Sequence, residues 1–180
     1  MIEGSDPLLK DEFIVIGAHY DHLGLGGFGS GSRIPDTVAV HYGADDNASG
    51  VAGIVELAKY FSDKNIELKR SLLFISFDAE EMGLLGSRYF INNPLIELKK
   101  IVAMINFDMI GRLNDNNAIT IGGTGTSLET ELILNQLSST SPLKLSYSSE
   151  GCGPSDHAMF YSENIPVFFF FTGAHADYHT

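Results

Sequence analysis

Basic residues are scarce in this chain: Lys and Arg total 11 against 23 Asp and Glu in 180 residues, a formal net charge of -12. That balance repels phosphate backbones and anionic lipid surfaces, so a nucleic-acid partner is not expected. Cysteine is almost missing. Cys152 stands alone, which excludes an intrachain disulfide and any small scaffold stapled by bridges. Long apolar runs are missing as well. The most apolar stretch, 165–172, is interrupted by Pro166 and falls far short of the roughly 20 residues that a bilayer-spanning helix needs. The opening MIEGSDPLLKDE is polar and has no signal-peptide core. Neither repeats nor low-complexity tracts interrupt the chain, and its length suits one domain with a substantial core.

What the sequence does have is a set of short apolar runs rich in β-branched and aromatic residues, at 13–18, 72–77, 101–107 and 167–172, with a shorter one at 118–122. Runs that are apolar on both faces predict interior strands of a covered sheet. Helical spacing appears between them. Over 47–63 the residues Val51, Ile54, Val55, Ala58 and Phe61 form one stripe, with Asn47 or Ser49 as N-cap. Over 128–137 the leucines Leu128, Leu132 and Leu137 recur at helical spacing after Ser127, and 155–162 reads as a short helix. Strands alternating with helices predict an α/β three-layer sandwich, with a mostly parallel or mixed sheet between helices. The glycine-rich stretch 24–31 reads as an exposed loop; no Lys-Ser or Lys-Thr follows it, as a phosphate loop would require.

Polar groups gather where these runs end. His19 and Asp21 follow the first, Glu80 and Glu81 the second, Asp108 the third, and His175 to His179 the last; Asp46 lies just before the first helix. In an open α/β sheet, ligand sites form beyond the carboxyl ends of the strands. Singly, each group has an ordinary explanation as a cap or a solvated loop residue. Together they crowd carboxylates at one edge, which is costly without cations. His19, Asp46, Glu81, Asp108 and His179 are therefore candidate metal ligands, with Glu80 as a spare carboxylate. Asp21, two residues beyond His19 in extended chain, suits the gripping of the imidazole's other nitrogen.

The ordered segments GAHYDH, GADDNASG, DAEEMGLLGS, NFDMIG and IPVFFFFTGAHADYHT resemble the zinc aminopeptidase family of co-catalytic metallo-exopeptidases. That family includes bacterial leucyl aminopeptidases, glutamate carboxypeptidases and glutaminyl cyclases. The resemblance implies two zinc ions bridged by Asp46, with His19 and Asp108 on one and Glu81 and His179 on the other. It makes Glu80 the general base and Tyr178 a phenol that hydrogen-bonds the developing oxyanion. It gives His22 no metal, leaving it a loop residue, and has His157 order the pocket wall with Asp156. The implied activity is removal of N-terminal residues from peptides that have a free N-terminus. Carboxypeptidase or dipeptidase action, glutaminyl cyclisation and a non-catalytic receptor-like role are the alternatives on the same scaffold. The family also implies a periplasmic or secreted enzyme. Its members begin earlier and continue further, so residues 1–180 are expected to be one incomplete catalytic domain, with His179 on a terminus liable to fray.

Overall fold

The computed structural model describes residues 1–63 and 66–180. Six strands form one sheet in the order β2-β1-β3-β6-β4-β5: β1 Phe13–His19, β2 Ser71–Phe77, β3 Ile101–Phe107, β4 Ala118–Gly122, β5 Lys144–Tyr147 and β6 Val167–Phe171. β1 pairs parallel with β2 and β3, and β3 pairs parallel with β6. β4 runs antiparallel to β6 and parallel to β5. The result is the mostly parallel mixed sheet expected from the sequence.

Helices α1 (Ala48–Phe61), α2 (Leu85–Asn92), α3 (Thr130–Thr140) and α4 (His157–Ser162) complete the order, with a 3-10 turn at Leu98–Lys100. Successive strand side chains point to opposite faces. Accordingly Val15 and Ile16, neighbours in β1, belong to different cores. Val15 packs with Phe77, Phe90, Met104, Phe160 and Val167 on the side of α2 and α4. Ile16 and Ala18 pack with Ile54, Val51, Leu57 and Phe61 of α1 on the other side. The rings of Phe77, Phe90 and Phe160 meet at centroid distances of 5.6–6.4 Å, within the range of favourable aromatic pairs.

Three details differ from the sequence expectation. Val55 is exposed, because Leu57 takes the inward position of the α1 stripe. In α3 the expected leucine stripe is out of phase: Leu128 and Leu132 face solvent, while Thr130 and Leu134, one helical step apart, face inward. The residue before α3 is Glu129 rather than Ser127, and it makes no side-chain cap. Two elements had no sequence signal. β5 is a short, largely exposed edge strand of mixed polarity, KLSY. α2 begins after Leu84 at φ 60 with no side-chain cap, flanked by Gly83 and Gly86, so tertiary burial of Phe90 and Ser87 specifies it.

Because β2, β1, β3 and β6 are parallel, their carboxyl ends share one edge. That edge carries the candidate residues. No described helix is long and apolar enough to cross a membrane.

Candidate metal centre

Asp46 lies at the middle of the edge, and its two carboxylate oxygens face different partners. Oδ1 is 3.3 Å from His19 Nε2, which is also 3.5 Å from Asp108 Oδ1. Oδ2 is 3.1 Å from His179 Nε2, which is also 3.2 Å from Glu81 Oε2. The structure thus brings the five candidate ligands into two sets that meet at Asp46: His19, Asp46 and Asp108 in one, Asp46, Glu81 and His179 in the other. A tetrahedral zinc with bonds of about 2.0–2.1 Å has ligand atoms about 3.3 Å apart. The observed separations fit such an ion. Asp108 Oδ1 is buried with no hydrogen-bond partner among the described residues, as an oxygen reserved for a cation would be.

Neighbours of Asp46 and Asp108 fix the spacing of these two carboxylates. The segments on either side are stitched by side chains. Asn47 Nδ2 donates to the Phe107 carbonyl at 3.0 Å, and Asn47 Oδ1 accepts from the Met109 N–H at 3.1 Å. Ser49 Oγ accepts from Ile110, and Asp45 Oδ1 accepts from Gly111. Asn47 Oδ1 also caps α1 by accepting from the Gly50 N–H. Gly50 has to be glycine here: a Cβ would sit 2.5 Å from the Phe107 carbonyl oxygen. The sequence marked Asn47 as a helix cap and Asp46 as a candidate ligand; the bridge from this segment to the Asp108 segment is a tertiary fact.

His179 is held from above. The glycine-rich loop folds over it, so that Gly31 offers its carbonyl to His179 Nδ1 at 3.1 Å and the Arg33 N–H donates to the His179 carbonyl at 2.8 Å. Two hydrogen bonds thus tie the backbone and ring of His179 to residues 31–33. His179 adopts φ 57, and Ala79 and Met109, beside Glu80 and Asp108, are also at positive φ. Such sparsely populated backbone gathers where a site imposes geometry.

Asp21 acts differently from its expected grip on His19. The acceptor for His19 Nδ1 is the Asp21 backbone carbonyl at 3.1 Å, while the carboxylate stands 3.6 Å from that nitrogen. Its two carboxylate oxygens instead accept the backbone N–H groups of Glu80 and Glu81, at 3.0 and 3.2 Å. The extended geometry of the HYD segment turns the carboxylate towards the Glu80–Glu81 turn.

The electrostatics reflect crowded carboxylates. Burial opposes charge on His19, but the carboxylates of Asp108 and Asp46, 3.5 and 3.3 Å from its Nε2, prevail and push its pKa up to about 11. The cluster draws positive charge, and without a metal a proton supplies it. Burial raises Glu80 to about 8, opposed by His19 and reinforced by Asp108, Asp156 and Glu81. Burial opposes ionisation of Asp46 too, but the His19 hydrogen bond outweighs it and Asp46 is lowered. Tyr178, half-buried and stacked on His179 at 3.8 Å, is pushed up to about 12 by burial and by the nearby carboxylates, so its hydroxyl keeps its proton.

Two cavities open on the edge and share Asp46 and Tyr178 as walls. One, of about 420 Å³, has Asp45, Arg112, His175 and His179 among its walls. Its guanidinium is already engaged by Asp177 and His175. The other, of about 570 Å³, runs from Glu80 and Asp108 to Met109, Phe169 and Phe171. His157 stacks on Phe169 at 4.3 Å behind that wall, and Asp156 beside it is buried. His41 is buried, with its ring nitrogens on the Ala39 carbonyl and Ser32 Oγ. His22, expected in an ordinary loop, has its Nδ1 2.8 Å from Glu81 Oε1. Cys152 is exposed and free.

Comparison with known proteins places this geometry. The chain is 36% identical over 157 residues to leupeptin-inactivating enzyme 1 of Streptomyces exfoliatus, a match covering 81% of this chain and 32% of that protein. It superposes on the Legionella pneumophila LapA aminopeptidase with a TM-score of 0.68 and 30% identity, covering 92% of this chain and 42% of that one. BSAP, a zinc aminopeptidase from Bacillus subtilis, has the same fold at a TM-score of 0.75 and 24% identity, over 99% of this chain and 41% of that one. The chain spans about a third of the length of the curated relatives it matches. The sequence profile of peptidase family M28 matches residues 1–180 from end to end, and the chain belongs to that family.

Proposed function

We propose that this chain is the catalytic part of a zinc-dependent aminopeptidase that removes N-terminal residues from peptides, using two metal ions bridged by Asp46. The observation that carries the reading is the division of the Asp46 carboxylate: Oδ1 faces the His19/Asp108 set and Oδ2 the Glu81/His179 set. Relatives and neighbours described as leucine aminopeptidase and zinc aminopeptidase support it. Two zinc ions, when bound, polarise the scissile carbonyl and lower the pKa of a water at neutral pH.

The remaining work belongs to side chains. Glu80, lining the larger cavity, takes the proton of the attacking water and passes it to the leaving amine. Asp21 fixes the turn that carries Glu80 through its two backbone bonds. Tyr178 donates its hydroxyl proton towards the oxyanion as charge develops. The surrounding carboxylates favour a substrate ammonium group, which a free N-terminus supplies. Phe169, Phe171 and Met109 offer an apolar wall to the first side chain. A carboxypeptidase would need a free cationic group for the substrate carboxylate, and the cavity's Arg112 is already paired with Asp177.

The test pairs zinc analysis of the purified protein with chelator-sensitive hydrolysis of leucine p-nitroanilide. Two zinc ions per chain and hydrolysis are expected, and Glu80→Gln should lower kcat by about 10²–10⁴ while leaving metal content unchanged. Activity kept within a few-fold in Glu80→Gln removes Glu80 from the mechanism.

A further inference from the structure

His22 is the residue that the five-ligand reading leaves unexplained. Its Nδ1 is 2.8 Å from Glu81 Oε1 and 3.8 Å from Asp46 Oδ2, and its side chain is only 13% exposed. His22, Asp46, Glu81 and His179 each present one ligand atom, and the four atoms lie within 4.8 Å of one another. Among the described residues, the hydrogen-bonding and ionic contacts of the His22 ring are with Glu81 and Asp46 alone. His41, its neighbour at 6.3 Å between ring centroids, differs: both of its nitrogens are committed to loop atoms. A half-buried imidazole whose nitrogen points at two carboxylates of a cation site, with no other hydrogen-bonding or ionic anchor, has the disposition of a ligand.

The distances agree with a fourth corner. Around this position His179 Nε2 lies 3.1 Å from Asp46 Oδ2 and 3.2 Å from Glu81 Oε2, and His22 Nδ1 lies 3.8 Å from Asp46 Oδ2 and 2.8 Å from the other Glu81 oxygen, Oε1. These separations bracket the edge of about 3.3 Å that a tetrahedral zinc sets between ligand atoms. His19 and His22 come from one short segment, HYDH, and address opposite oxygens of the same bridging carboxylate.

We infer that His22, through Nδ1, is a fourth side-chain ligand of the Glu81/His179 metal position. This rests on the two-metal reading above. It makes the two positions unequal. The Glu81/His179 position is closed by four side chains, whereas the His19/Asp108 position has three and keeps a place open. Three-ligand sites keep room for water or substrate.

The full chain, labelled with nitrogen-15 and loaded with cadmium-113, tests this by NMR. One-bond cadmium–nitrogen coupling is expected at three imidazole nitrogens, Nε2 of His19, Nε2 of His179 and Nδ1 of His22. The His22 signal is assigned by its loss in His22→Gln. That variant should also release one of two cadmium equivalents at least about tenfold more readily and keep the other unchanged. Coupling confined to His19 and His179, with a proton retained on His22 Nδ1, overturns the inference and leaves the two-metal reading standing. Fewer than two bound cadmium ions, or no coupling at His19 and His179, overturns the two-metal reading and the inference with it.

Discussion

Replacing Asn47 with alanine should be among the most damaging single changes outside the ligands. Asn47 is 1% exposed and serves three backbone groups: the Gly50 N–H, the Met109 N–H and the Phe107 carbonyl. Loss of the helix cap costs about 1 kcal/mol. Each buried group left without a partner costs about 1–3 kcal/mol, and the lower figure applies because water can enter the space vacated by the amide. Two such groups and the cap give about 3 kcal/mol. Urea unfolding followed by circular dichroism, in chelator so that metal does not contribute, reads the loss as a lower midpoint at unchanged slope. The same variant should bind zinc more weakly, since Asp46 and Asp108 lose the brace that spaces them. A loss of stability below about 1 kcal/mol would refute the clamp.

Gly50→Ala forces its methyl against the Phe107 carbonyl and should cost about 1–3 kcal/mol in the same assay; an unchanged midpoint would show that the two segments separate freely. Asp21→Asn turns an amide N–H towards one of the backbone N–H groups of Glu80 and Glu81, so kcat should fall about 10–100-fold with KM little altered, and full activity would deny the positioning role. Phe160→Ala empties the junction of three aromatic rings and should cost about 3–5 kcal/mol by thermal or urea unfolding. Burial pushes His157 down to about 4, so on acidification the unfolded chain binds its proton first. Stability should fall from the unfolded value near 6.5 down to about 4, by about 3 kcal/mol in total. Asp156, raised to about 6 by burial, gives the opposite slope and gains stability as pH falls through 6. The comparison is therefore His157→Phe against the parent, and equal pH slopes would refute the assignment.

The strands were legible because their side chains are apolar on both faces, as in FIVIGA and IVAMINF, and few other structures accept such runs. The candidate ligands were legible for a related reason: polar residues that are ordinary singly follow several buried strands in turn, and parallel strands carry them to one edge. α2 was hidden, since its glycines and uncapped start are loop signals and Phe90 supplies the stability only through tertiary packing. The phase of α3 was hidden because three leucines outweighed Thr130 and Leu134 in any count of apolar residues. Asn47, Asp21 and His22 carry contacts at sequence separations of about 60, which no local pattern encodes.

The position of β6 bears on how the molecule comes into being. The strand lies between β3 and β4, yet it follows the five other described strands in the sequence, so β4 and β5 have no place in the sheet until it is made. Before then β3 presents an unpaired edge, an invitation to pair with other chains. β6 also completes the chemistry, because the Phe170 carbonyl accepts the Asp108 N–H and the Thr172 N–H donates to Met109. A nascent chain therefore carries His19, Asp46, Glu80, Glu81 and Asp108 without the strand that sets Asp108 in place and without His179. The same strand thus joins the two parts of the sheet and brings together the groups at its edge, so neither is complete before the other.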